Sequence, residues 1–147
     1  MNKFKFDGLA NIQHMNTRKQ GPEDDKELAV DIKLTTRTAQ NICSFFDEQL
    51  ADFLFLSTGA VRNEFQEPIS YKYELLNYTV SVGGMTFDGV TVKKISILPA
   101  DGFLVDLTFQ LSFKPLSNQV SLFAEYLQEM IPIKLQPMNA ELEFAQS

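Results

Sequence analysis

The stretch that most constrains the fold runs over residues 78–114, YTVSVGGMTFDGVTVKKISILPADGFLVDLTFQLSFK. Apolar and polar residues alternate through it with the two-residue period of strands that bury one face. Tyr78, Val80 and Val82 share parity with Leu76, against Asn77, Thr79 and Ser81. Gly83-Gly84 then closes a hairpin, and Asp101-Gly102 marks a second. Phe103, Val105, Leu107, Phe109, Leu111 and Phe113 point one way, while Asp106, Thr108, Gln110 and Ser112 point the other. Three antiparallel strands follow from this pattern. The middle one breaks parity: Val90 and Val92 fall on one face, Ile95 and Ile97 on the other. A bulge at Gly89 or at Lys93-Lys94 reconciles them.

The flanks add strands and helices. Leu28, Val30, Ile32 and Leu34 alternate cleanly, so residues 27–35 read as another half-buried strand. Phe4 and Phe6, spaced by lysines, suit a short strand near the start, and residues 20–27 form a solvated acidic loop. Thr36 or Thr38 can cap a helix whose apolar stripe is Ile42, Phe45, Phe46, Leu50, Phe53 and Leu54, ending by Gly59. Ser117 or Asn118 can cap a second helix carrying Val120, Phe123, Ala124, Leu127 and Ile131, which Pro132 ends. Ile133 and Leu135 are left for a last edge strand, and residues 138–147 for a frayed tail. The expected fold is a single α+β domain: an antiparallel sheet of about five to six strands with two helices packed on one face. An open edge of that sheet would permit self-association.

Charge narrows the partners. The formal net charge is −6, which works against bulk attraction to nucleic acid or an anionic membrane but leaves room for a local basic patch. One cysteine excludes an intramolecular disulfide and suits a reducing compartment. No run approaches a membrane span or a signal peptide, so an intracellular, cytoplasmic protein without a membrane partner is expected.

The segments AVDIKL (29–34), GGMTFDGVTVKKISILP (83–99), VDLTFQLSF (105–113) and AEYLQEMIPIKL (124–135) resemble small uncharacterised proteins encoded by phages and prophages of bacteria. The similar region covers roughly residues 26–136. The resemblance implies a phage or prophage source and the bacterial host cytoplasm. Such genes often lie among those for DNA metabolism or for countering host defence. It carries no functional residues.

Few residues carry chemistry. His14 is the sole histidine and Cys43 the sole cysteine, and Cys43 lies on an apolar helix face. Neither has partners for a metal centre or a nucleophilic dyad. Glu23, Asp24 and Asp25 lack the ligand spacing of a calcium loop. No cofactor, metal or catalytic residue is expected, and the chain is read as non-enzymatic. Two features stand out. Lys93 and Lys94 sit in a strand, with Lys33, Lys72 and Lys114 also in or beside strands. Together with Tyr71 and Tyr73, Lys93 and Lys94 make a candidate face for single-stranded nucleic acid, which such proteins bind with cations and stacking rings. Asp47, Glu48, Asp52, Glu125 and Glu129 make an acidic helix surface, a candidate for docking a protein. The leading expectation is a phage accessory protein that binds another protein of host defence or phage recombination. The alternative is a single-stranded nucleic-acid-binding module.

Overall fold

The computed structural model describes residues 3–24, 26–62 and 67–138. Seven strands form: β1 (Phe6–Gln20), β2 (Glu27–Ala39), β3 (Ile69–Ser70), β4 (Leu75–Val82), β5 (Met85–Ala100), β6 (Leu104–Phe113) and β7 (Met130–Pro137). All pairings between them are antiparallel. The order β5-β4-β7-β1-β2-β6 returns to β5 through a β5–β6 ladder, so six strands close into a barrel. The short β3 adds to β5 beyond β4.

Closure corrects the expected α+β layering. Each strand does bury one face, but the sheet covers that face itself by curling round. Val105, Leu107, Phe109, Leu111 and Phe113 of β6 point inward, with Val30, Ile32 and Leu34 of β2 and Val80 and Val82 of β4. A barrel this narrow is filled by side chains. Phe109 sits at the centre, with ring centroids 5.6 Å from Phe4 and 5.8 Å from Phe6. The Tyr78 hydroxyl donates to the Phe4 carbonyl at 2.8 Å, which satisfies a buried polar group and ties the segment before β1 to β4. Burial pushes the Tyr78 phenol up to about 12.

The helices do not form a layer. Their two connections close opposite ends of the barrel. At one end lie a 3-10 turn over Gln40–Phe45 and the five-residue α1 (Leu50–Leu54). They bury Cys43 and Leu54, and Phe45 meets Phe4 edge-on at 5.2 Å. At the other end α2 (Ser117–Glu125) packs Phe123 against the touching rings of Phe87 and Phe113, at 5.6 and 5.5 Å.

The first helix is shorter than its spacing suggests because β2 runs on through Thr35, Thr36, Arg37 and Thr38, paired with β6. Threonine is β-branched and fits that pleated surface. No side chain of Ser117 or Asn118 caps α2; the Gln119 side chain accepts the Leu116 N–H instead, at 2.7 Å. The helix ends early because Gln128 takes a left-handed φ of 66° and donates its N–H to the Ile12 carbonyl. Ile131, Ile133 and Leu135 then alternate inward in β7, which lies between β1 and β4 and is not an edge strand. Of the acidic loop, Asp25 lies outside the described residues, as does most of the expected tail over residues 138–147.

Candidate nucleic-acid interface

β5 organises the surface. It is the longest strand, at 16 residues, and it carries two bulges of its own, one in each of its long ladders. Toward β4, Tyr78 pairs with Val90 and Val80 with Phe87, which leaves Asp88-Gly89 bulged. Toward β6, Lys93 pairs with Gln110 and Ser96 with Thr108, so three steps on β5 face two on β6. The extra residue is Lys94, at a left-handed φ of 54°. This second bulge returns Ile95 and Ile97 to the interior beside Val90 and Val92, all of them buried.

The Lys94 bulge opens a groove of about 540 Å³ in the outer wall, lined by Lys33, Lys94, Tyr71, Ser70, Thr108 and Gln110 among others. Lys33 and Lys94 are exposed, and among the described residues neither forms an ion pair. Tyr71 is anchored from behind by Phe45 and Phe46, at centroid distances of 4.6 and 6.1 Å, and meets Tyr73 edge-on at 5.7 Å. Tyr73 is 59% exposed and carries the Lys72 ammonium 5.1 Å from its ring centre. A packed ring, an open ring and unpaired cations therefore meet at one place.

Lys93 does not join them. Its ammonium lies 3.7 Å from Asp31 Oδ1. Asp31 also accepts from Arg18, whose Nε and Nη2 reach it at 3.0 and 3.4 Å, and from the Ser112 hydroxyl. Burial works against ionising Asp31, but the bonds from Arg18 and Ser112 and the charge of Lys93 outweigh it, so its carboxyl lies below the usual range. This network borders a second cleft of about 610 Å³, where β5 and β6 part beyond the Thr91–Ser112 pair and the Asp88-Gly89 bulge follows on β5.

Of the four residues read from sequence as a nucleic-acid face, the fold gathers Tyr71, Tyr73 and Lys94 and places Lys93 across the ladder. Lys33, which the sequence marks only as a further strand lysine, belongs to the groove, as do Gln110 and Ser70, which it does not mark for any site. The cross-strand pairing of Lys33 with Gln110 brings them there, and no motif encodes a pairing. The five acids are exposed but divided. Asp47, Glu48 and Asp52 lie at one end of the barrel, with Glu125 and Glu129 beside the α2 end. His14 is exposed on β1 opposite Lys33. Burial raises the Cys43 thiol to about 11, which leaves it a protonated core group. Among the described residues no three His, Cys, Asp or Glu side chains gather as metal ligands, and no helix is long and apolar enough to cross a membrane. Comparison with protein-family models, curated proteins and solved structures finds no match to this chain.

Proposed function

We propose that this chain is a non-enzymatic module that binds single-stranded nucleic acid in the Lys33–Lys94–Tyr71 groove. Lys94 carries the reading. A left-handed backbone costs a residue with a Cβ about 1–2 kcal/mol, and glycine would occupy the position without that cost. A lysine held there, exposed and without an ion-pair partner among the described residues, fits a role for its ammonium outside the fold. Lys33 offers a second cation for the phosphates, and Tyr71 and Tyr73 offer faces and edges to unstacked bases.

Fluorescence anisotropy of labelled single strands at about 50 mM salt tests the proposal, because the phosphate contribution is strong there. Saturable binding that weakens in Lys33→Gln and Lys94→Gly supports it. No binding to DNA or RNA single strands rejects it. A protein partner gripping all five acids at once would have to span both ends of the barrel, so the groove is the preferred reading.

A further inference from the structure

The two clefts lie in line on the same outer wall. The groove takes Thr108 and Gln110 of β6, and the second cleft takes Ser112 and then Lys114, just past the strand's end. Between them stands the Lys93–Gln110 pair, with Lys33 paired to Gln110 on its far side. We infer that the clefts form one track along β6, in which the second cleft holds the continuation of the strand bound in the first. The inference rests on the reading above and adds a site and a length to it.

The halves of the track differ in chemistry. The first has unpaired cations and rings. In the second, which the carboxylates of Glu74 and Asp88 also line, Arg18 and Lys93 are already matched to Asp31, and Lys114 to Glu27 at 2.6 Å. Their charge is largely cancelled, but their hydrogens are not used up. A guanidinium has five N–H donors and an ammonium three. Arg18 gives Asp31 one from Nε and one from Nη2, and Gln20 one from Nη1. The remaining donors suit phosphate and sugar oxygens met at short range, with little long-range pull. The cleft thus fits a strand delivered to it by the first half and does not suit a free anion.

Geometry sets the length. From Thr108 to Lys114 the backbone rises about 20 Å at roughly 3.4 Å per residue. Stacked phosphates follow at about 3.4 Å, and a strand splayed over rings spaces more widely. About four to six nucleotides fill the track, within the range of small single-stranded sites.

Oligothymidylates from about two to about twelve nucleotides, titrated by anisotropy, provide the test. Affinity is expected to climb to about four to six nucleotides and then level off. Arg18→Gln should weaken the longer oligomers about tenfold, the loss of one or two charge-assisted bonds, and leave the shortest unchanged. Lys114→Gln, at an exposed pair of small structural value, should act in the same direction in a protein with an unaltered melt. Lys94→Gly should weaken every length. If the shortest oligomers bind as tightly as the longest, or if both cleft variants leave long oligomers unaffected, the second cleft is no part of the site and only the groove stands. If no length binds, the groove reading falls and the track with it.

Discussion

Lys94 separates stability from binding at a single residue. Lys94→Gly relieves a left-handed lysine and should hold or raise stability by up to about 1–2 kcal/mol, while binding falls. Paired denaturant melts and titrations of the variant check this, and a parallel loss of both would make Lys94 a structural residue. Asp31 is the converse case. Its folded carboxyl is depressed by Arg18, Ser112 and Lys93, so it stabilises the protein above its unfolded pKa. That contribution is lost as pH falls through the folded value, below about pH 4. Asp31→Asn should therefore cost about 1–3 kcal/mol at neutral pH, with Arg18 and Lys93 losing their shared partner. The gap between the variant and the native protein should narrow in urea melts as the pH is taken below the usual carboxylate range.

Among the elements, β5 was the most legible from sequence and α1 the least. The β5 parity break between Val92 and Ile95 forces an extra residue near Lys93-Lys94 in any sheet that buries both, and the bulge is there. Side-chain direction was not legible, because one bulged backbone sends neighbouring lysines to different partners: Lys93 to Asp31 and Lys94 into the groove. The helix over residues 40–54 was over-read because Ile42, Phe45, Leu50 and Leu54 face one side at helical spacing. The same spacing serves a 3-10 turn and a short helix that close a barrel end. Ile131 belonged to two patterns at once, four residues after Leu127 and two before Ile133, and the tertiary pairing of β7 decided between them. Deleting Lys94 tests the bulge as an element. Lys93 and Ile95 would keep their outward and inward directions, so the far-UV circular dichroism of a barrel should persist. The groove would flatten, and single-strand binding should be lost with it.

For the whole molecule, alternation could not distinguish a layered sheet from a closed one. A strand with one buried face has the same sequence whether a helix layer or the far wall of its own barrel covers that face. The sets of inward residues were readable, and so was the β5–β6 hairpin at Asp101-Gly102; the β1–β7, β4–β7 and β2–β6 ladders were not, since they join segments far apart in the chain. The interior should respond as one unit. Phe109→Ala, which removes the ring packed against Phe4 and Phe6, should cost about 3–5 kcal/mol in a single cooperative transition seen by calorimetry. The charge distribution also makes a prediction. With two or three phosphates neutralised at the groove, the logarithm of affinity should fall with the logarithm of salt at a slope of about 1.5 to 2, shallow for a protein that binds nucleic acid.

The register of β5 bears on the barrel's capacity for change. Lys94 is one residue more than the β5–β6 ladder needs, placed so that every inward side chain keeps its direction. A wall that takes one surplus residue there without disturbing its interior is a natural port for longer ones. A short peptide spliced between Lys93 and Ile95 would emerge outside the core, beside Tyr71 and Lys33. The barrel could then serve as a display frame whose recognition loop is changed while its folding unit is kept.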